Sequence, residues 1–184
     1  MRRVRFSVAT SLDGYIAGPN GEIDWITMDP DIDFGSLMDS FDTALLGRKT
    51  YEMTWKQGGG GGMAGLHAFV FSHTLNQADC PGVVVSHSPS DTVQSLKSVK
   101  GKDIWLFGGG GLFKSFLELG LVDSVELAVI PILLGGGVPL LPPPASLARL
   151  ELLGHRVYPK TGTVALTYTP VCNSFKPSPL RGPA

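Results

Sequence analysis

The 184-residue chain has only two cysteines, Cys80 and Cys172, far apart and without metal-ligand spacing. They read as ordinary thiols, not as a disulfide framework. Its four histidines, His67, His73, His87 and His155, form no H-x-x-H or H-E-x-x-H pair, so no metal site is expected. Charge of one sign is also missing: 15 basic and 16 acidic residues leave a formal net charge of -1. That balance removes the electrostatic ground for a nucleic-acid or acidic-membrane partner. No apolar run reaches membrane-spanning length. After the basic start, Met1 to Arg5, the segment Phe6 to Ala9 is too short for the apolar core of a signal peptide. The expected location is the cytoplasm. No repeat or linker divides the chain, so one domain is expected over residues 1–170. Residues 171–184 carry Pro177, Pro179 and Pro183 with little apolar surface, and are expected to be a disordered tail.

Glycine is what the chain has in excess: 24 residues, many in three clusters at 58–62, 108–111 and 135–137. Around them run alternating and helical apolar patterns. Val4, Phe6 and Val8 alternate and predict a strand over Arg3 to Ala9. Turns follow at Ser11-Leu12-Asp13-Gly14 and Gly18-Pro19-Asn20-Gly21. Asp29 to Asp33 opens a predicted helix whose apolar face is Phe34, Leu37, Met38 and Phe41. Buried strands are predicted at Thr43–Leu46, Ala68–Phe71, Val83–Val85 and Ile104–Phe107. Helices are predicted from Arg48 to Trp55, from an Asp91 cap to about Val99, and through Leu112, Phe113, Phe116 and Leu117. Ser124–Ile130 alternates as a strand. Leu150–Val157 and Thr163–Thr169 read as a closing antiparallel pair. Strand–helix units followed by adjacent strands define an α/β fold. The sheet should be mostly parallel, with helices on both faces and an antiparallel C-terminal edge.

Two strand-to-helix junctions have anion-binding character. A helix N-terminus leaves backbone N–H groups without internal partners and adds partial positive charge. The first junction, Leu46-Gly47-Arg48-Lys49-Thr50, supplies two cations and a hydroxyl. The second, Phe107-Gly108-Gly109-Gly110-Gly111-Leu112, sets four glycines between a buried strand and an apolar helix. Each glycine costs about 0.5–1 kcal/mol relative to alanine, so such a run asks for a reason beyond stability. It is not a G-x-G-x-x-G fingerprint, because Phe113 stands where the last glycine belongs. The same Phe113 breaks a Walker P-loop that would otherwise continue into Lys114 and Ser115.

Five segments together resemble the dihydrofolate-reductase superfamily, in particular the bacterial branch similar to the reductase domain of riboflavin biosynthesis. They are Ser11 to Ala17, Leu46 to Glu52, Val70 to Leu75, Phe107 to Leu112 and Val129 to Gly137, in the family's order across nearly the whole chain. The resemblance implies a three-layer dihydrofolate-reductase-like fold and an NADPH-dependent reductase acting on a pterin- or pyrimidine-like heterocycle. An NADPH-binding protein of the same fold without turnover is the alternative. It implies that Ala9, Ile16 and Ala17 flank the nicotinamide. Gly47, Arg48, Lys49 and Thr50 would hold the pyrophosphate and the 2′-phosphate side, and Ser72, His73 and Thr74 the 2′-phosphate. Phe107, Gly108, Gly109, Gly110, Gly111 and Leu112 would wrap the pyrophosphate, with a cis peptide between the first two glycines. The resemblance further implies a homodimer, expected through a sheet edge near Val125 to Leu134. For the proton-donating acid it points to Asp31, with Asp29 and Asp33 as rivals, and to Asp13 in the S-x-D-G turn.

Overall fold

β1 (Val4–Ser11) forms where its apolar residues alternate, and Val4 and Phe6 are fully buried. β3 (Phe41–Gly47) is instead an almost continuous apolar run, as a strand covered on both faces requires. The computed structural model describes residues 1–56 and 65–171. The five-glycine stretch 58–62, Cys172 and the proline-bearing tail lie outside the described residues.

The remaining elements are β2 (Tyr15–Ala17), α1 (Phe34–Asp39), α2 (Arg48–Lys56), β4 (His67–Phe71), β5 (Val84–Ser86) and α3 (Pro89–Ser98). After them come β6 (Asp103–Gly108), α4 (Gly110–Glu118), β7 (Ser124–Ile130), β8 (Val138–Pro139), β9 (Leu150–Tyr158) and β10 (Thr163–Pro170). The main sheet has the order β5-β4-β3-β6-β1-β7-β10-β9. Its first six strands are parallel, and β10 and β9 close it antiparallel.

Alternation splits the core between the two faces. Leu45, Ile104, Leu106, Phe6 and Val125 pack with Val93 of α3 and with Phe113 and Phe116 of α4. Phe6 stacks on Phe113 at 3.8 Å between ring centroids. Ala44, Leu46, Ala68 and Val70 pack with Tyr51 of α2 and with Cys80. Burial, with a hydrogen bond to Cys80, pushes the Tyr51 hydroxyl up to about 12. Both helix layers and the antiparallel edge match the expected architecture.

Four details differ from the sequence reading. α1 buries none of its residues, and Phe41 belongs to β3, where it is 2 % exposed. The helix ends at Ser40 after six residues, too soon for an apolar stripe to reach the core. α3 starts at Pro89 behind Ser88 at the N-cap position, whose hydroxyl donates to Asp91, so Asp91 lies in the first turn and is not the cap. Inside the Gly/Pro-rich connection, β8 pairs with β2 as a separate ribbon. Finally, β7 is no edge: it lies between β1 and β10, and among the described residues the edge strands are β5 and β9.

Candidate cofactor-binding site

The C-terminal ends of four parallel strands stand level. Register pairs Leu46 with Gly108, Gly47 with Phe71, and Phe71 with Ser86. From this row rise α2 and α4. Neither has an acidic residue in its first turn, and Gly109 caps α4 without a side-chain hydrogen bond. The two starts converge. A Cβ placed on Gly47 would lie 3.6 Å from Leu112 Cβ and 3.7 Å from the Gly108 carbonyl oxygen. A Cβ on Gly109 would lie 3.6 Å from Thr50 Oγ1 and 3.9 Å from Ile16 Cδ1. Ile16, Gly47, Thr50, Gly108, Gly109 and Leu112 are thereby brought to one place. Two helix N-termini facing one gap make a clamp for an anion.

The four glycines of the turn have separate reasons. Gly108 has φ +112°, a conformation that favours glycine, and its peptide bond to Gly109 is cis. Gly109 has φ -79° and room for a Cβ, on the side of the gap. At Gly110 a Cβ would meet the Pro139 carbonyl oxygen at 2.3 Å. That residue is small because the β8 segment packs on it, which is a structural reason. Among the described residues nothing lies within 4 Å of a Cβ placed on Gly111. Phe107 turns its ring into the core, edge-on to Trp105.

On the other side of Gly47, Arg48 is exposed and paired with Glu52 at 3.0 Å, one helical turn along. Lys49 is exposed beside it. At the end of β4, Ser72 Oγ accepts from the backbone N–H groups of Thr74 and Leu75, both at 3.1 Å. The turn so formed leaves His73 and Thr74 exposed. His73 stacks on His87, a residue not singled out as a site residue in the sequence reading.

The β1–β2 turn forms a separate wall. Asp13 accepts from Ser11 Oγ at 2.6 Å and from the backbone N–H groups of Leu134 at 3.1 Å and Gly135 at 2.7 Å. The Ser11 bond, and then those backbone donors, hold its carboxyl below the usual range. Asp13 thus ties β2 to the segment after β7. An acid kept ionised is the opposite of a neutral proton donor. Ala17 is buried, and Gly137 approaches its carbonyl so closely that a Cβ there would clash at 2.2 Å. Ala9 lies inside the sheet, level with Ala128.

The acids before α1 divide three tasks. Asp33 caps α1 by accepting from Ser36 N at 2.9 Å and Ser36 Oγ at 2.7 Å. Asp31 is half exposed and paired with Lys160 at 2.8 Å. Asp29 is 1 % exposed and accepts from Asp31 N, Thr161 N and Thr161 Oγ1. Burial works against its charge. The hydrogen bonds from Asp31 and Thr161, with Lys160 nearby, outweigh burial and hold its carboxyl below the ordinary value.

This architecture is that of the dihydrofolate-reductase-like proteins. It superposes on dihydrofolate reductase from Enterococcus faecalis, solved with NADP(H), with a TM-score of 0.66 at 18% identity, covering 91% of this chain and 96% of that one. Residues 2–164 match the RibD C-terminal domain, and the chain belongs to that family. It is 34% identical over 183 residues to protein YyaP of Bacillus subtilis (strain 168), covering 91% of this chain and 94% of that protein. A protein from Shewanella sp. PV-4, assigned to riboflavin biosynthesis, has a TM-score of 0.75 at 28% identity, with 93% and 99% covered.

Proposed function

We propose that the protein is an NADPH-dependent reductase of a small pyrimidine- or pterin-like heterocycle. The observation that carries this reading is the meeting of the α2 and α4 starts at Gly47 and Gly109. That gap fits a dinucleotide: free N–H groups from two helices for the pyrophosphate, with Arg48, Lys49 and the Ser72-His73-Thr74 turn beyond it. Gly108, Gly110, Gly111 and Leu112 shape one wall, and Thr50 and Gly47 the other. Ile16, with Ala9 and Ala17 behind it, borders the nicotinamide end. When bound, NADPH supplies the hydride, and the chain's residues supply position and exclusion of water. Asp13 is committed as a triple acceptor and Asp31 to Lys160, so this reading takes the proton from solvent. Those same commitments favour a second reading, an NADPH-binding protein without turnover.

Fluorescence titration with NADPH, NADH and ATP separates these readings. NADPH is expected to bind at least about tenfold more tightly than NADH, a difference of only ~1.4 kcal/mol. The Arg48–Glu52 pair is exposed and cheap to break, so Arg48 is free to turn to a phosphate. Arg48→Ala is expected to weaken NADPH far more than NADH. Equal weakening assigns Arg48 to the shared pyrophosphate, and equal wild-type affinity for both cofactors overturns the 2′-phosphate assignment. Tight NADPH binding without turnover on any heterocycle supports the second reading. A homodimer belongs to the same proposal, with its interface moved from β7 to the edge strand β9.

A further inference from the structure

We propose that Glu126, flanked by Ser7 and Thr167, is a specificity-determining residue for the substrate: its carboxylate selects a heterocycle that presents an edge of N–H groups, as an aminopyrimidine does. The proposal deepens the reductase reading above and rests on it.

The placement follows from alternation and register. Phe6, Val8, Val125 and Leu127 pack into the core on the side of the sheet covered by α3 and α4. Their chain neighbours Ser7, Ala9, Glu126 and Ala128 turn to the opposite side. Residues level on paired strands share a face, so two rows cross that side. Ala9, Ala128 and Ala165 form one, and Ser7, Glu126 and Thr167 form the next, nearer the start of β1. The rows lie about 6–7 Å apart, two residues along a strand. All six residues are half-buried, although β1, β7 and β10 lie inside the sheet.

α1 stands over this side without closing it. Arg5, on the same face as Ser7, donates to Ser40 Oγ at 2.9 Å and lies 4.7 Å from the centre of the Phe41 ring. Asp29 ties the chain ahead of α1 to Thr161 at the β9–β10 tip. The chain between these two ties passes over the rows, yet α1 buries none of its residues. Phe34, Leu37 and Met38 belong to neither core cluster. A flat ring between α1 and the sheet gives them an apolar partner. It also sets that ring within one row of Ala9, at the nicotinamide end.

The hydrogen bonds define what the ring must offer. Glu126 Oε1 accepts from Arg5 Nε at 2.7 Å and from Ser124 Oγ at 2.8 Å, and Oε2 accepts from the Arg5 guanidinium at 2.8 Å. A carboxylate has about four acceptor positions, so one on Oε2 is left. Its side chain is 18 % exposed, so that position is poorly served by bulk water and well served by a ligand N–H. Among the described residues the Ser7 and Thr167 hydroxyls have no hydrogen-bond partner. Each can donate or accept, one on either side of Glu126. Bound to Arg5, Glu126 accepts and is no proton donor, in keeping with a proton taken from solvent.

The test first titrates the full chain with NADPH. The NADPH-saturated protein is then titrated with isocytosine, whose amino group and ring N–H share an edge, and with 1,3-dimethyluracil, which has no N–H. Ligand-observed NMR reads both dissociation constants for wild type, Glu126→Gln and Thr167→Val. Wild type is expected to bind isocytosine at least about tenfold more tightly than 1,3-dimethyluracil. Glu126→Gln should cut that preference to about threefold or less, because an amide N–H₂ can stand against the ring's own N–H groups. Thr167→Val keeps the Arg5–Glu126 pair and the side-chain shape, should Glu126→Gln fold poorly. It is expected to weaken isocytosine about threefold and leave 1,3-dimethyluracil unchanged. NADPH affinity should stay at the wild-type value in both variants. Equal binding of the two probes by wild type, binding of neither at millimolar concentration, or a preference that both variants retain overturns the Glu126 proposal and leaves the NADPH reading intact. A wild-type protein that does not bind NADPH in the first titration overturns that reading itself.

Discussion

Gly109 and Gly110 are neighbours of one type with opposite obligations. A side chain at Gly110 meets backbone oxygen of the β8 segment, whereas one at Gly109 enters the gap beside Thr50 and Ile16. Gly110→Ala is therefore expected to lower the melting temperature through overpacking, by about 1–3 kcal/mol of stability. Gly109→Val is expected to melt near wild type and to lose NADPH binding by tenfold or more, roughly 1.4 kcal/mol. Thermal melts and titrations on the two variants check both halves, and a Gly109→Val protein with wild-type affinity would make the turn purely structural. The sequence showed four glycines in a row but could not rank them, because each answers to a different neighbour in space. His87 had a weak signal available: Phe71-Ser72-His73 and Val85-Ser86-His87 are the same Ser-His ending on two strands. Only register shows that the two endings touch.

Among the elements, patterns were legible where a face packs on something. The alternation in β1 and β7 and the apolar run of β3 became core strands. Spacing misled in α1, where Phe34, Leu37 and Met38 lie on a helix too short to reach the core. Pro89 at the first turn of α3 was a better start signal than Asp91. β8 has two residues, too few for any period. The acidic segment before α1 read as a helix start, yet Asp29 ties it to the β9–β10 hairpin tip at Thr161. Because the folded-state pKa of Asp29 lies below its ordinary value of 3.8, its contribution to stability is complete above that value. It is lost as pH falls through the lower, folded value. Asp29→Asn is expected to melt at lower temperature than wild type at neutral pH, and the gap should narrow below about pH 4. Parallel melts across pH 3 to 7 measure this, and a constant gap would mean that the carboxylate's charge is not what holds the hairpin.

For the molecule as a whole, the sheet has one edge that is short and one that is long. β9 exposes Leu150, Leu152, Leu153 and Val157 along nine residues, and among the described residues no strand pairs with its outer side. Leu152→Lys is expected to convert a dimer to a monomer in light scattering at micromolar concentration. A wild-type monomer, or a variant that stays dimeric, removes β9 as the interface. Strand order has a further consequence, for synthesis of the chain. β1 sits at the centre, and its two neighbours lie far ahead: Val4 pairs with Ile104, and Phe6 with Val125. On the ribosome the first strand must wait, unpaired, until more than half of the chain has emerged. Such distant closures make folding slow compared with a helical bundle of equal size. During that wait the apolar face of β1 is what a nascent-chain chaperone would meet.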